Sequence, residues 1–323
     1  MQPAADIFDP VPIQAIGARL RAARFAADPA VQDRGVCVLL NGQTEFIEKY
    51  FEVIDELRGR GFAVATMDWR GQGGSSHALT DNPLKSYVKD FAEYDEDLQT
   101  LMDWLVVPMV EKAGRPPIAV AHSMGAHNLL RYLVRKPASF RAVVVSAPMI
   151  AVSLRGTAEW IARIVTVASI RAGRGTNWVW GMERRDPYRM TFEKQLVTSD
   201  RGRFERTQKF LRENPDLRLA GATWGWLAAA FRSMDWLSAP GRPESITTPA
   251  LVIDAGADRI VIPEASRKFA ARMPHASHLE IAGAGHEILM ERDVFRVQWW
   301  AAFDAFATCR TPGDPKIAGC SEV

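Results

Sequence analysis

Short apolar runs alternate along the chain with longer segments in which apolar residues recur at helical spacing. Runs rich in Val, Ile and Ala suit strands that are buried on both faces, as in a parallel sheet covered by helices. A hairpin around Gly17 would begin the sheet and bring it to eight strands. The pattern predicts the other strands at Val36–Leu40, Phe62–Met67, Ile118–His122, Ala142–Ser146, Ala250–Asp254 and His278–Ala282. It predicts helices over Glu45–Arg60, Ser86–Val107, Met124–Arg135, Glu264–Met273 and Arg292–Phe306.

One long segment breaks this alternation. Residues 150–245 contain no clear strand but several helix-like stretches. Six of the ten tryptophans lie there, namely Trp160, Trp178, Trp180, Trp224, Trp226 and Trp236. So many large aromatic side chains must either be buried or be presented to a ligand. We therefore predict an α/β core domain, residues 1–149 and 246–323, and a helical cap, residues 150–245, inserted after the sixth strand. The cap would lie over the carboxyl ends of the strands, where open α/β sheets bind their ligands.

Composition places the chain among ordinary globular proteins. Of its 323 residues, 47% are hydrophobic and 24% are charged, which excludes an intrinsically disordered chain. The net charge of +2 is too balanced to predict nucleic-acid binding. The three cysteines form no CxxC pair, so neither a metal site nor a redox motif is expected. The N-terminal residues lack a signal-peptide pattern, and no apolar run approaches the ~20 residues of a membrane span. We expect a cytoplasmic protein that needs no metal and no cofactor.

The strongest chemical signal is the segment IAVAHSMGAHNLL, residues 118–130. An apolar strand passes through a sharp turn directly into a helix, which is the context that holds a nucleophilic serine above a sheet edge. Ser123 lies at this turn, Gly125 is the small residue after it, and Ala121 takes the place of the usual glycine before it. The helix N-terminus can stabilise negative charge there. A serine that merely caps the helix is the alternative interpretation.

A serine hydroxyl needs a base, and the base needs an acid that orients it. His286 lies on a glycine-rich loop directly after the last predicted strand, whereas His275 and His278 flank the start of that strand. For the acid, the segment LVIDAGADRIV offers two aspartates. Asp258 follows the strand end and is favoured over Asp254, which lies within the strand. The resulting order along the chain is serine, acid, histidine.

An acyl-transfer reaction also needs two N–H donors for the oxyanion that forms. The N–H of Met124, directly after Ser123, is one candidate. The loop after the strand Val36–Leu40 supplies the other. Gly42 permits a turn in this loop, and we favour the N–H of Gln43 as the donor, with its neighbours as alternatives.

A second glycine-rich loop, residues 68–76, follows the strand Phe62–Met67. It lacks the lysine of a phosphate-binding P-loop, and no dinucleotide-binding signature follows it. We interpret it as a structural loop beside the site, and we expect Asp68 and Arg70 to pair with each other.

The segments NGQTEF, DWRGQGGSS, AHSMGAH, AGADRIV and GAGHEIL together resemble the α/β-hydrolase superfamily. Within it, the chain is most similar to the bacterial lysophospholipase and monoacylglycerol lipase group, over about residues 15–308. The resemblance implies an α/β-hydrolase fold and a serine ester hydrolase for lipids with one acyl chain. It also implies Ser123, Asp258 and His286 as the catalytic triad. The histidine that the group usually has in the oxyanion loop is replaced here by Asn41.

Other uses of the same fold stay open. A thioesterase or a carbon–carbon bond hydrolase would use the same triad, since the cap decides the substrate. A binding protein without activity is a different class, but it would not need a complete triad. The partner predicted by the sequence is a small acyl ester, lipid-like in character, and not a nucleic acid. Between residues 155 and 244 there are 16 Lys+Arg against 10 Asp+Glu. Peripheral contact of a basic, aromatic cap with an anionic membrane surface is therefore a further hypothesis.

Overall fold

A mixed sheet of eight strands forms the centre of the molecule. The computed structural model describes residues 2–154, 156–182 and 190–309. The strands of this sheet are β1 (Val11–Ala15), β2 (Ala18–Phe25), β3 (Gly35–Leu40), β4 (Phe62–Met67), β6 (Ile118–His122), β7 (Ala142–Ser146), β9 (Ala250–Ala255) and β10 (Ala276–Ile281). Two strands of two residues, β5 (Lys85–Ser86) and β8 (Gly221–Ala222), pair with each other outside it.

The order across the sheet is β1-β2-β4-β3-β6-β7-β9-β10. All pairs from β4 to β10 are parallel, whereas β2 is antiparallel to both β1 and β4. The first hairpin turns at Gly17, whose φ of +71° is one that residues with a side chain rarely adopt. The mainly parallel sheet of eight strands is therefore confirmed, and the six predicted core strands are present with ends shifted by two residues at most.

Alternate side chains of the central strands face two separate apolar cores. In β3, Val38 and Leu40 pack on one side of the sheet, while Cys37 and Leu39 pack on the other, and all four are buried. Because successive side chains of a strand point to opposite faces, a strand that is covered on both sides needs apolar residues throughout. This is why the sequence shows continuous apolar runs at these positions.

Helices cover both faces of the sheet. Those outside the insertion are α1 (Phe51–Arg58), α2 (Ala92–Leu101), α3 (Val107–Ala113), α4 (Ser123–Arg135), α9 (Pro263–Ala270) and α10 (Asp293–Cys309). A π-helical turn at Met102–Val106 joins α2 to α3. Short 3-10 turns occur at Ala4–Ile7, Ile47–Tyr50, Pro215–Leu217 and Ile288–Met290. Two predicted helices begin later than expected, because their first residues form the loop before Ile47 and the strand β5.

The segment between β7 and β9 is mainly helical. It contains α5 (Glu159–Arg171), α6 (Arg201–Glu213), α7 (Trp224–Ser238) and α8 (Arg242–Ser245). The helical insertion after the sixth strand of the sheet is therefore confirmed, and the exact domain bounds stay a prediction. The strand β8 lies within this segment, where no strand was expected, because two residues are too few to leave a hydrophobic pattern.

The short strands β5 and β8 join the insertion to the core. Their parallel pairing is extended by hydrogen bonds from Ala220 N to Leu84 O at 2.9 Å and from Thr223 N to Ser86 O at 3.1 Å. The Thr223 hydroxyl also donates to Ser86 O at 2.8 Å. This ladder places the start of α7 against the core segment that contains Ser86.

No helix in the part of the chain that the structure describes combines the length and the apolar character needed to span a bilayer. The cytoplasmic location expected from the sequence stays a prediction.

Candidate active site

A tight turn places Ser123 at the end of β6. The backbone of Ser123 has a φ of +51°, in the left-handed region that residues with a side chain rarely occupy. Through this turn β6 passes directly into α4, whose first residue is Ser123. The helix lies very near the preceding loop, since a Cβ built on Gly125 would be 2.8 Å from the Leu40 carbonyl oxygen and nearer still to that of Asn41. The predicted arrangement of strand, turn and helix is therefore present.

Ser123, His286 and Asp258 form a continuous chain of hydrogen bonds. His286 Nε2 lies 2.9 Å from Ser123 Oγ, and His286 Nδ1 lies 2.6 Å from Asp258 Oδ2. The second carboxylate oxygen of Asp258, Oδ1, accepts the N–H groups of Ile260 at 2.7 Å and Val261 at 3.0 Å, which fixes its orientation. The side chains of both His286 and Asp258 are buried. The structure thus brings together three residues that follow the ends of three different strands, β6, β9 and β10.

These hydrogen bonds define the protonation states. Burial raises the pKa of Asp258, but the hydrogen bond from His286 and the two amide donors outweigh it, so the pKa of Asp258 is lowered. The group is therefore a carboxylate, which can only accept, and Nδ1 of His286 carries the proton between them. Nε2 is left to accept a proton from the Ser123 hydroxyl, which is the tautomer that a general base for serine requires.

Asp254, the alternative acid, has a different partner. It is buried within β9, and its Oδ2 lies 2.7 Å from Nε2 of His278 on the neighbouring strand β10. Burial is the main cause that raises the pKa of Asp254. Of the two aspartates, Asp258 is the one that contacts His286, as its position after the strand end predicted.

In the loop that follows β3, the N–H of Gln43 differs from those of its two neighbours. The N–H of Gly42 donates to Glu45 Oε2, and that of Thr44 donates to Gln72 Oε1 at 3.3 Å. The N–H of Gln43 forms no hydrogen bond with any residue that the structure describes. Of the neighbouring donors considered from the sequence, Gln43 is therefore the one whose N–H a ligand can use.

The second predicted donor, Met124, lies at the start of α4. As the second residue of this helix, it has no carbonyl one turn earlier within the helix to receive its N–H. The loop of Gln43 is beside it, because a Cβ built on Gly42 would be 3.2 Å from the Cβ of Ser123. The two predicted donors thus lie on segments that meet at Ser123.

A buried charged cluster, which the sequence did not reveal, lies behind this loop. Lys49 Nζ is 2.8 Å from Glu45 Oε1 and 2.6 Å from Glu287 Oε1. Burial lowers the pKa of Lys49, but the two carboxylates outweigh it and raise the pKa, so the ammonium is charged. In the sequence, Glu45 and Lys49 have the i,i+4 spacing of an exposed helical ion pair, and only the fold shows that both are buried. With His122, these residues are called the Lys49 cluster.

His122, the residue before Ser123, links the cluster to His286 with its two ring nitrogens. Nδ1 lies 3.1 Å from Glu45 Oε2, and Nε2 lies 3.2 Å from the backbone oxygen of His286. Carboxylate and carbonyl oxygens only accept, so these contacts favour the imidazolium form of His122, in which both nitrogens donate. In agreement, burial lowers the pKa of His122, but the carboxylate of Glu45 outweighs it and raises the pKa.

The expected pairing of Asp68 with Arg70 is wrong. Asp68 Oδ2 lies 2.5 Å from Nη2 of Arg21 on β2. Arg70 instead binds two acids of α2, with Nη2 2.6 Å from Asp97 Oδ1 and Nη1 2.8 Å from Glu93 Oε2. Asp68 faces β2 and Arg70 faces α2, so each side chain pairs with a residue of a different element. Sequence proximity alone could not predict this.

The strand order, the serine at the strand–helix turn, and the acid and histidine on loops after later strands together define an α/β hydrolase. A family model described as "Serine aminopeptidase, S33" matches residues 31–293. The chain belongs to this family of α/β hydrolases.

The most informative relatives are lipid hydrolases by name. The chain is 30% identical to lysophospholipase L2 of Escherichia coli (strain K12) over 306 residues, with 90% of this chain and 85% of the relative covered. It is 23% identical to the monoacylglycerol lipase of Mycolicibacterium smegmatis, with 81% and 85% covered. The predicted similarity to the lysophospholipase and monoacylglycerol lipase group is therefore confirmed.

A solved structure shares the fold. It is a soluble variant of monoglyceride lipase from Saccharomyces cerevisiae in complex with a substrate analog. The TM-score is 0.74 at 18% identity, and the match covers 93% of this chain and 95% of that one. The predicted α/β-hydrolase fold is confirmed.

Proposed function

We propose that the protein is a serine carboxylic-ester hydrolase that acts through an acyl-enzyme on lipids with a single acyl chain. The observation that carries this proposal is the chain of hydrogen bonds from Ser123 through His286 to Asp258. Membership of a hydrolase family supports the class of reaction. The names of the relatives, lysophospholipase and monoacylglycerol lipase, support the class of substrate.

In the first half-reaction, the Ser123 hydroxyl attacks the ester carbonyl while His286 Nε2 takes its proton. Asp258 stabilises the resulting imidazolium, since its carboxylate accepts the Nδ1 proton. The carbonyl π electrons move onto oxygen, and the oxyanion accepts hydrogen bonds from the N–H groups of Gln43 and Met124. The bond to the alcohol oxygen then breaks, and His286 gives its proton to that leaving oxygen. The alcohol departs, and the acyl group stays on the serine.

Water completes the cycle at the same groups. His286 takes a proton from the water as its oxygen attacks the acyl carbonyl, and the oxyanion again binds the two N–H donors. The bond to Ser123 Oγ then breaks, and His286 returns the proton to this oxygen. The fatty acid leaves, and the enzyme regains its starting protonation state.

A surface pocket supports a polar, anionic head group for the lipid. It has a volume of about 460 Å³ and is lined by Lys85, Arg174, Asn177, Trp178, Trp180 and Trp224. This volume lies within the range of small-molecule sites. The two cationic side chains favour an anion such as a phosphate ester, and the indole rings supply apolar surface beside it. Ser86, the chain neighbour of Lys85, accepts a hydrogen bond from the Gln43 side chain at 3.2 Å, so the segment that supplies Lys85 also contacts the oxyanion loop.

The exposed face of α5 supports peripheral contact with a membrane surface as part of the same proposal. Trp160, Ile164 and Val167 recur at helical spacing, and each is at least half exposed. Exposed apolar side chains grouped in this way are typical of interaction sites. The excess of Lys+Arg in the segment 155–244 favours an anionic lipid surface. In this proposal the protein is cytoplasmic and reaches its substrate at that surface.

A hydrolysis panel tests the proposal. Monoacylglycerols, lysophospholipids, short p-nitrophenyl esters and acyl-CoA are compared, with Ser123→Ala as the control, and Ser123 is tested for labelling by a fluorophosphonate. We expect the highest kcat/KM with a single-chain lipid ester and labelling at Ser123. Preference for acyl-CoA would identify a thioesterase, and preference for short esters a small-substrate esterase. The absence of both labelling and turnover would refute the proposed enzyme and favour a binding protein.

A further inference from the structure

A buried lysine connects the oxyanion loop with the loop of His286. The Lys49 side chain is only 7% exposed, and its ammonium lies between the carboxylates of Glu45 and Glu287. Burying an isolated charge is costly, so such an ammonium is retained only where its surroundings compensate it. The hydrolytic steps described above use none of these three side chains.

Both carboxylates belong to segments that the reaction needs. Glu45 Oε2 accepts the N–H of Gly42, so this carboxylate fixes the turn of the oxyanion loop. Glu287 follows His286 directly in the chain. His122 completes the connection, because its Nδ1 donates to Glu45 and its Nε2 donates to the backbone oxygen of His286. The oxyanion loop and the base are therefore held by one set of ionic contacts.

The Lys49 cluster is electrically balanced. Glu45 and Glu287 are its two anions, and Lys49 and the imidazolium of His122 are its two cations. The ring centroids of His122 and His286 are 4.8 Å apart, and Glu287 is the chain neighbour of His286. Because His122, a member of the cluster, lies against the His286 ring, we expect a gain or loss of one charge in the cluster to change how readily His286 binds a proton.

Two further carboxylates face the loop of His286 but stand outside the cluster. Asp258 contacts Nδ1 at 2.6 Å, and Glu291 accepts the N–H of the residue before His286 at 2.9 Å. The ring of His286 bonds to Ser123 and Asp258, so substitution of Lys49 or Glu287 changes the charge of the cluster without removing a hydrogen-bond partner of the ring. This separates the effect of charge from the loss of a triad contact.

We propose that Lys49 is a positioning residue. Its ammonium holds the oxyanion loop and the His286 loop together, and it neutralises two carboxylates that would otherwise favour the protonated, inactive form of His286. The consequence for ester hydrolysis rests on the proposed function. The consequence for the protonation of His286 is independent of it.

The first test is a pH titration of the His286 imidazole, followed by NMR and assigned with His286→Ala. Lys49→Met leaves an excess negative charge, so the midpoint should rise by about 0.5 to 1 pH unit. Glu287→Gln leaves an excess positive charge and should lower the midpoint. The double variant, with both Lys49→Met and Glu287→Gln, is again balanced, so its midpoint should equal that of the wild type. Lys268→Met is the matched control, because it breaks an exposed i,i+4 pair with Glu264 and should leave the midpoint unchanged.

The second test is kcat/KM against pH with the best ester of the panel. The acidic limb of each profile should move with the NMR midpoint of the same variant. Lys49→Met should also lower kcat about tenfold or more, with a smaller change in KM, because the oxyanion loop loses its ionic link. The double variant should regain the pH profile but not the full kcat, since the link stays broken.

Equal midpoints in wild type, Lys49→Met and Glu287→Gln would overturn the proposal. Equal shifts of the His286 midpoint in Lys49→Met and in the double variant would also overturn it. Such a result would show that the loss of Lys49 packing, and not the change of charge, is responsible. Should Lys49→Met fail to fold, Glu287→Gln decides through the downward shift, since Glu287 is the most exposed acid of the cluster. An absence of ester hydrolysis in the wild type would refute the proposed function alone, since the NMR midpoints do not depend on turnover.

Discussion

The geometry of the candidate active site depends on the backbone at Ser123 and Gly125. A residue with a side chain in the left-handed region costs of order 1–3 kcal/mol, so the surrounding structure must hold it there. Part of that support is the hydrogen bond from Met149 N to Ser123 O at 3.2 Å. Gly125 allows α4 to approach the carbonyl oxygens of Leu40 and Asn41. Because Gly125 has no Cβ, the helix can place Ser123 beside the oxyanion loop.

The three residues of the proposed catalytic triad should behave as one unit in kinetics. Ser123→Ala, His286→Ala and Asp258→Asn should each lower kcat by about three orders of magnitude or more, and double variants should lose little further activity. Unfolding temperatures, measured beside the rates, should stay near the wild-type value. Asp254→Asn is the control and should keep most of the activity, because its carboxylate contacts His278. An active Asp258→Asn beside an inactive Asp254→Asn would contradict the choice of acid.

Replacing Gly125 should damage both the fold and the site. Gly125→Ala forces a Cβ against the backbone oxygens of two residues, so we expect a loss of about 2 kcal/mol or more in the free energy of unfolding and a lower kcat. Gly202→Ala is the matched control: it also lies near a helix N-terminus, but its Cβ would meet nothing nearer than 3.4 Å. Urea unfolding of both variants measures the difference. Equal stability would show that the backbone at Gly125 can move.

At the scale of elements, Glu52 connects three helices. It lies on α1, and its carboxylate oxygens are 2.6 Å from Nη2 of Arg203 on α6 and 3.1 Å from Nη1 of Arg296 on α10. Arg206 of α6 contacts the same carboxylate. Burial raises the pKa of Glu52, but these arginines outweigh it and lower the pKa to about 2. One carboxylate thus holds a helix of the insertion against two helices of the core.

Glu52→Gln should therefore lower stability in a pH-dependent way. The folded-state pKa of about 2 is below the ordinary value of a glutamate, so the stabilisation is present above about pH 4.5 and is lost as the pH falls toward 2. Because the side chain is 26% exposed and screened, we expect about 1–2 kcal/mol at pH 7. Urea unfolding at pH 7, 5 and 3 should show the difference between variant and wild type shrinking.

The exposed acid Glu264 supplies the control for this experiment. Its side chain is 48% exposed and pairs with Arg267 on the same helix. Glu264→Gln should change the free energy of unfolding by less than about 0.5 kcal/mol at each pH. A difference for Glu52→Gln that stays constant between pH 7 and 3 would show that packing, not the ionised carboxylate, is responsible.

The sequence allowed the elements to be predicted better than the contacts between loops. Buried parallel strands leave continuous apolar runs, so β3, β6 and β9 could be located, and residues directly after strand ends pointed to Asp258 and His286. Side-chain pairing leaves no such pattern. The buried position of Lys49 and the separate partners of Asp68 and Arg70 depend on elements far away in the chain. They became visible only once those elements were packed together.

At the scale of the whole molecule, charge is distributed unevenly. The segment 155–244 has 16 Lys+Arg and 10 Asp+Glu, whereas the full chain has a net charge of only +2. The remainder of the chain is therefore negative. The excess positive charge lies on the same segment as most of the tryptophans and the exposed face of α5. An anionic lipid, the class of partner proposed above, would be attracted to this segment.

Salt should affect anionic and neutral substrates differently. Exposed charges are screened beyond a Debye length of ~8 Å at physiological ionic strength, so KM for a lysophosphatidic acid should rise with salt more steeply than KM for a monoacylglycerol. Lys85→Met and Arg174→Met should reduce this difference, because both side chains line the cationic pocket. KM values at 0.05 to 0.5 M salt measure it. Equal salt dependence for the two substrates would leave the charge asymmetry without a functional role.

The pairing between β5 and β8 determines which residues must be exchanged together when the helical insertion is replaced by that of another hydrolase. A chimera that takes residues 150–245 from another hydrolase keeps Lys85–Ser86 but replaces Gly221–Ala222, its partner strand. Since the Gln43 side chain donates to Ser86 Oγ, a poorly matched ladder would disturb the oxyanion loop as well as the cap. A graft that also carries residues 84–87 keeps both halves of the ladder from one parent. The unit that can be exchanged is therefore discontinuous in sequence. Chimeras should be most active when residues 84–87 come from the same parent as the insertion.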